Sequence, residues 1–441
     1  MSDKGKIENL IIRRCDLADI ANMSVTSCDI RIEDGIITEI GSNLVPKGEE
    51  ILTAKGMLCI PAFTDAHTHL VQSLQKGCLD DLCITDWLIK MLSTQHRLTE
   101  EEWYYGVLIG LLQGLRFGVT AFNEMTYFSY IDAVVQAYKD SDLRVTFGLG
   151  ATDIAENEST LTTSVEDALQ QAEIIYHKYH NTNHGLLRTS VAPQGLPACT
   201  KELMQGLKSF AKQKGLVFHT HLAEGKKETE WVKHQTGYGE GEALYRYGIL
   251  DAKTMLAHSI WLEDYELDLI AESGATVVHC PSTNMKISDG IPPIYKMLER
   301  KVNVAFGCDG EASSSNRDMI REARCGAYLQ KVVSGKAQVM PVSTCYQMMT
   351  ANGARALGYD DLGKIGVGYR ADILLLDMHD ISLLNKDCRL SNIIYAGTGL
   401  QVDTVLCNGK VLLKNKCFTC FDAEKIMAKG EQIVTGIYKR L

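Results

Sequence analysis

The chain has 441 residues, 45% of them hydrophobic, which is enough to bury a large core and by length alone suggests two or three domains. A formal charge of −10, with no cluster of Lys and Arg able to neutralise phosphates, argues against nucleic acid and anionic membrane as partners. The stretch around Lys4, Lys6 and Glu8 lacks a signal-peptide core, and no segment approaches ~20 uninterrupted apolar residues, so a cytoplasmic protein is expected.

Three β-rich runs open the chain: Asn9-Leu10-Ile11-Ile12, Cys28-Asp29-Ile30-Arg31-Ile32 and Gly35-Ile36-Ile37-Thr38-Glu39-Ile40. Their two-residue periodicity predicts half-buried antiparallel strands. From about residue 57 the pattern changes. Buried-looking strands at 57–66, 119–125, 144–150, 187–193, 216–223, 255–260, 276–281 and 302–309 alternate with helical segments such as 164–180 and 201–214. Eight such strands with crossovers predict an α/β fold, a (β/α)8 TIM barrel, with an open doubly wound sheet as the alternative that pattern leaves standing. The C-terminal part returns to short strands, including Ala371-Asp372-Ile373-Leu374-Leu375 and a run through Asn408-Gly409 that reads as a hairpin turn. The expected organisation is therefore a small β-sandwich domain built from 1–56 and 363–441 around a barrel domain at 57–362. The 14 cysteines are scattered and read as free thiols. Cys417 and Cys420 form the one CxxC, without the second ligand pair that a structural zinc site needs.

Polar residues collect where the central strands end. Of 12 histidines, His67, His69, His219, His221, His258 and His279 fall at or near strand ends, the positions from which barrel enzymes draw their catalytic groups. In His67-Thr68-His69, alternation puts both imidazoles on one side of the strand. A lone His-x-His is often two polar residues leaving a strand. A third histidine and Asp309 on other strands, however, complete a set suited to zinc or ferrous iron with a position left open for water. His219 alternates in phase with His221, so phase does not choose between them, and Cys308 reads as packing.

Taken together, Pro61-Ala62-Phe63-Thr64-Asp65-Ala66-His67-Thr68-His69-Leu70, Thr220-His221-Leu222-Ala223-Glu224, Leu256-Ala257-His258, His279-Cys280-Pro281-Ser282-Thr283-Asn284 and Gly307-Cys308-Asp309-Gly310-Glu311-Ala312-Ser313 resemble the amidohydrolase superfamily over nearly the whole chain. The branch they are most similar to contains methylthioadenosine and S-adenosylhomocysteine deaminases, guanine-type deaminases and triazine hydrolases. The resemblance implies His67, His69, His221 and Asp309 as ligands of one divalent metal ion, zinc first and iron second, with Glu224, His258 and Asp309 handling protons. Two-metal members carry a bridging Lys after strand four, and Thr189-Ser190-Val191-Ala192-Pro193-Gln194 has none, so a mononuclear site is expected. Such an ion brings the pKa of a bound water down towards ~7.

The implied activity is hydrolytic deamination of an amino-substituted nitrogen heterocycle, a purine, pterin, pyrimidine or triazine. Displacement of halide or alkylamine from a triazine, or deamination of methylthioadenosine or S-adenosylhomocysteine, are the alternatives, and a non-catalytic barrel scaffold disagrees with so complete a set of site residues. Trp87, Gln95, Gln194, His279, Asn284 and Ser313 are the expected substrate contacts, with His279 equally readable as a core residue. Adenosine-type relatives place a Glu in the loop after strand one and a His after strand four, where this chain has Gln95 or His96, and Gln194. Free heterocycles are therefore expected to outperform nucleosides unless Glu124 or Glu311 supplies a carboxylate for the ribose. The resemblance also allows a homo-oligomer.

Overall fold

The computed structural model describes residues 9–127, 129–155 and 159–440. Through its middle run eight parallel strands: β1 Phe63–His69, β2 Val119–Thr126, β3 Arg144–Ala151, β4 Leu187–Thr189 continued by Ala192–Pro193, β5 Phe218–Leu222, β6 Thr254–His258, β7 Thr276–His279 and β8 Asn303–Phe306. They pair in chain order, β1 to β4 in one set and β5 to β8 in a second. A bridge between Val191 and Phe218 joins the sets, and beyond β8 Asp309 and Gly310 pair with Thr68 and His69 of β1. These strands are buried nearly throughout, which is why they read as continuous apolar runs instead of alternating ones.

Parallel pairing requires crossovers, and helices supply them. Glu100–Arg116, between β1 and β2, begins on a capping box. The Thr99 hydroxyl accepts from the Glu102 N–H, and the Glu102 carboxylate accepts from the Thr99 N–H. Lys201–Lys214, ahead of β5, begins on Thr200, whose hydroxyl accepts from the Leu203 N–H. Their apolar stripes, Trp103, Val107 and Leu111 on the first and Leu203, Leu207 and Phe210 on the second, share one core with Phe63, Phe122, Phe147, Phe218 and Phe306 of the strands.

The run 57–66, expected as one strand, is two. The chain changes sheets at Ala62: Met57–Pro61 pairs with Leu10–Asp19 and Ile373–Asp377, whereas β1 begins at Phe63. Both halves are buried, so hydrophobicity alone does not reveal the break. Met57–Pro61 belongs to a nine-stranded sheet that also takes Leu10–Asp19, Ser24–Glu33, Ile36–Gly41 and Glu50–Thr53 from one end of the chain. The other end contributes Ile373–Asp377, Val402–Cys407, Lys410–Lys414 and Cys417–Phe418. Asn408 and Gly409 turn the expected hairpin with φ of 51° and 78°, the left-handed pair that a two-residue turn demands. A buried ion pair, Arg144 Nη2 to Asp372 Oδ1 at 3.0 Å, ties β3 to this sheet. Among the described residues no helix is long and apolar enough to cross a membrane.

Candidate metal and catalytic site

Parallel strands deliver their C-terminal ends to one face, and there the residues singled out in the sequence meet. The His67 ring centroid lies 4.9 Å from those of His69 and His221 and 5.4 Å from that of His258. Orientation is set from behind. The Met125 carbonyl accepts from His69 Nδ1 at 2.9 Å, and the Gln194 carbonyl accepts from His221 Nδ1 at 2.6 Å. A carbonyl only accepts, so the proton sits on Nδ1 of both rings and Nε2 presents a lone pair. His67 Nδ1 is held against His219 Nε2 at 2.9 Å, while His67 Nε2 is buried without a hydrogen-bond partner. Asp309 Oδ1 lies 3.4 Å from His67 Nε2 and 3.5 Å from His69 Nε2.

Lone pairs and a carboxylate oxygen held this close, away from water, repel one another unless a cation lies among them. Imidazole nitrogens with one carboxylate are the donors that a divalent ion of the zinc or ferrous type takes. The residues therefore fit the implied metal. Burial, then the charge of His67, pushes His69 down to about 4, and burial with the neighbouring imidazoles holds His221 well below its ordinary value, which keeps both neutral. Burial opposes the charge on Asp309, but His67 first, then His69 and His258, more than offset it and hold that carboxyl well below the usual range.

Strand geometry sets His219 and His221 at different depths. Both face inward, but His219 lies two residues deeper along β5, fully buried behind His67, and only His221 reaches the open end. β8 passes close behind the same ring. A Cβ on Gly307 would come within 2.9 Å of His67 Cβ and 3.0 Å of His67 N, a space that only glycine leaves free. His258 and Asp309 both take left-handed backbone, φ 69° and 58°, an uncommon conformation for such residues and one that gathers at functional sites.

Glu224 Oε1 lies 3.3 Å from His258 Nε2, and Asn284 Oδ1 accepts from His258 Nδ1 at 2.9 Å. Glu224, His258 and Asp309 each offer an atom within 4.8 Å of the others. Asn284 and Ser313, expected at the substrate, instead support this group from outside the cavity: Asn284 orients His258, and the Ser313 hydroxyl donates to Asp309 Oδ2 at 3.3 Å.

The cluster forms the floor of a cavity of about 580 Å³. Trp87, Leu88, Met91 and the exposed Trp231 give it apolar lining, and Gln72 and Gln194 are among its polar lining residues. Gln72 is fully buried with neither amide atom hydrogen-bonded, and Gln194 Oε1 is likewise unpaired. The sequence reading missed Gln72. Its only signal is a position three residues beyond His69, on the first turn after the strand.

Two expected contacts lie elsewhere. Gln95 Nε2 donates to Gln75 Oε1 at 3.1 Å, and Gln75 Nε2 donates to the Met91 carbonyl, so Gln95 is a buried strut under its helix and not a cavity residue. His279 is wholly buried, its ring 5.9 Å from that of Phe306, and burial, then His258, pushes it down to about 3. It is a core histidine. The carboxylates offered as replacements are also committed. Glu124 accepts from the Leu70 N–H at 2.9 Å, and Glu311 pairs with Arg317 at 3.1 Å and Lys76 at 3.0 Å. Glu240 is a further residue that the sequence reading passed over. It lines the cavity, accepts from the Ala223 N–H at 3.1 Å and the Thr229 hydroxyl at 2.9 Å, and so fixes the turn that carries Glu224.

A histidine and carboxylate centre at the ends of parallel strands, beneath a deep cavity, is that of a metal-dependent hydrolase. The chain belongs to the amidohydrolase family, which it matches over residues 58–412. It is 32% identical over 426 residues to a 5'-deoxyadenosine deaminase of Methanothermobacter thermautotrophicus, covering 96% of this chain and 97% of that one. To a 5-methylthioadenosine/S-adenosylhomocysteine deaminase of Pyrococcus furiosus it is 33% identical over 412 residues, 93% of this chain and 96% of the relative. The crystal structure of an adenosine deaminase from Xanthomonas campestris with bound zinc superposes with a TM-score of 0.91 at 26% identity, covering 98% and 99% of the two chains.

Proposed function

We propose that the chain is a hydrolytic deaminase that replaces the amino group on the purine ring of an adenosine derivative by oxygen, releasing ammonia. The observation that carries this reading is the convergence of Glu224, His258 and Asp309 within 4.8 Å of one another, with Glu224 and Asp309 lining the cavity. Protonation of a ring nitrogen and acceptance of a proton from water both need groups placed so. The relatives named above support the ring, and a cavity of this size has room for more than a free base. The expectation that free rings are preferred rested on Gln95 or His96 in place of an acid and Gln194 in place of a histidine; Gln194 does line the cavity, but Gln95 is turned away from it.

His67, His69, His221 and Asp309 would hold the ion, for which zinc is our reading. When bound it supplies Lewis acidity and a water acidified to near neutrality. Trp87 and Leu88 cover the planar ring and exclude water, and the amides of Gln72 and Gln194 meet polar atoms on its edge. Glu224 passes a proton to the ring nitrogen next to the carbon under attack. His258, fixed by Asn284 with its Nε2 lone pair facing inward, and Asp309 take the second proton of the attacking water from the new hydroxyl and hand it to the amine, which leaves as ammonia. The test is ammonia release from 5'-deoxyadenosine, methylthioadenosine, S-adenosylhomocysteine and adenosine, beside adenine, guanine, pterins and triazines. Nucleosides should be turned over with the higher kcat/KM, and faster turnover of every free ring would overturn the substrate assignment.

The same reading extends to the architecture. We take the eight strands as a closed barrel, supported by the Val191–Phe218 bridge and by one buried cluster that includes Ala66, Ala121, Met255, Val278 and Ala305 from five of them. We take 1–56 with 363–441 as a sandwich-like unit beside the barrel at 57–362, with Met57–Pro61 pairing into the former. Ile32 and Ile37 share a cluster there with Ile373 and Leu406 from far along the same sheet, as a sheet folded onto itself requires.

A further inference from the structure

The cavity changes character from floor to rim. On the helix Ile84–Gln95, Ile84, Trp87, Leu88 and Met91 recur at the spacing of one helix face, and all four line the cavity. Met91 and Trp87 are buried whereas Leu88 and Ile84 are half-buried, so the stripe climbs towards solvent at Ile84. A second helix, Lys226–Thr236, brings Lys227, Glu228 and the exposed Trp231 to the same cavity from one of its own faces. The first turns of the two helices meet at Gly225. A Cβ there would lie 2.9 Å from Glu228 Cδ and 3.6 Å from Ile84 Cδ1, so the Glu228 carboxylate and the Ile84 methyl share one lip. Charge at this lip is one-sided. Glu228 is half-buried and, among the described residues, has no ion-pair partner. Lys227 is the only Lys or Arg among the described lining residues, and it is exposed, where a single pairing is worth little.

We infer that Glu228 is a specificity-determining residue that turns away substrates with an anionic group on the 5' carbon, so that the enzyme takes adenine nucleosides whose 5' substituent is uncharged or cationic. The inference rests on the deaminase reading, which sets the amino-bearing ring beside Glu224 and Asp309 and leaves the ribose with its 5' group to reach the rim. There a methyl or methylthio group meets Ile84 and Trp231 and gains by leaving water. A phosphate or carboxylate gives up its hydration beside an unpaired like charge, which costs more than the exposed Lys227 returns. An ammonium in the same place pairs with Glu228. S-adenosylhomocysteine carries both charges, and its carboxylate sets it below methylthioadenosine.

The test is a charge series on the metal-loaded enzyme, read as kcat/KM for 5'-deoxyadenosine, 5'-amino-5'-deoxyadenosine, methylthioadenosine, S-adenosylhomocysteine and adenosine 5'-monophosphate. The monophosphate should fall about a hundredfold below 5'-deoxyadenosine, and S-adenosylhomocysteine about tenfold below methylthioadenosine. Size alone would give a similar order, so the deciding readout is a change of charge at the lip. Glu228→Lys should raise the monophosphate about tenfold or more relative to 5'-deoxyadenosine and lower the 5'-amino compound by a similar factor, with Glu228→Gln between. Elemental analysis of each variant checks that it is folded and loaded. Ratios that Glu228→Lys leaves unmoved, or a wild type that prefers the monophosphate or S-adenosylhomocysteine, would overturn the inference. If none of the five releases ammonia, the reading in the preceding subsection falls instead. Equilibrium affinities for the same series, measured on wild type and Glu228→Lys, then decide the charge preference.

Discussion

The mouth of the central strands and the terminal sheet both bury polar groups, yet they treat them differently. In the terminal sheet Asp29 accepts from the Arg14 and Leu44 N–H groups, both at 2.9 Å, and Arg31 is held by Glu39 and by Glu49 at 2.7 Å. Those groups satisfy one another and complete the fold. At the mouth, His67 Nε2, both amide atoms of Gln72 and Gln194 Oε1 are buried with no partner in the chain. Folding bears a desolvation cost there that nothing within the protein offsets. Unpaired buried groups occur in the fold as well, at both His279 nitrogens and at Arg144 Nε, so it is their clustering at one cavity, and not the missing partner alone, that marks the site.

The hardest test of that contrast is His67→Ala. It should take metal content from one ion per chain to none by elemental analysis and bring ammonia release to background, with circular dichroism unchanged because the ring is not a structural keystone. An inactive protein that still holds its ion would contradict the ligand assignment. Glu224→Gln should keep the ion and slow kcat by about a hundredfold or more, the ordinary scale of a lost proton transfer. A metal-replete, fully active variant would remove Glu224 from the chemistry. His219→Phe sharpens the comparison, because His219 is deep in the site but only orients His67. Chelator competition should show metal binding weakened by about 10- to 100-fold. On the other side, Arg144→Ala strips a buried ion pair that belongs to the fold. It should cost about 3 kcal/mol or more of stability in denaturant titration and leave kcat per folded molecule within about twofold of wild type. A kcat that falls with stability would mean that the terminal sheet shapes the site.

The sequence disclosed the strands better than their ends. Each of the eight central runs is present, because burial on both faces makes an apolar stretch that no other element imitates at that length. The break at Ala62 was invisible, since the residues on either side are equally buried and only the choice of pairing partner differs. Within the site, residues placed by alternation on a strand were legible, as with His67, His69, His221 and Asp309. Depth along the strand was not, and His219 needed coordinates to be set behind His67. Residues on the short helices and turns beyond the strands were least legible. Gln95, Asn284 and Ser313 were expected at the substrate and are hydrogen-bonded as supports, while Gln72 and Glu240 escaped notice, because a turn's path is set by hydrogen bonds such as that of the Ala223 N–H, which leave no periodic trace.

The carbonyls of Met125 and Gln194 that grip the far nitrogens of His69 and His221 also bear on how the enzyme acquires its metal. In small zinc-dependent domains the ion gathers its own ligands and folding waits for it. Here the rings are aimed by backbone that belongs to β2 and to the turn after β4, whether or not an ion is present. Metal uptake is therefore expected to need little reorientation of these two rings. Which metal ends up inside is then governed by what the surroundings supply at that moment, since a rigid set of imidazoles and one carboxylate ranks the late divalent ions more by general affinity than by shape.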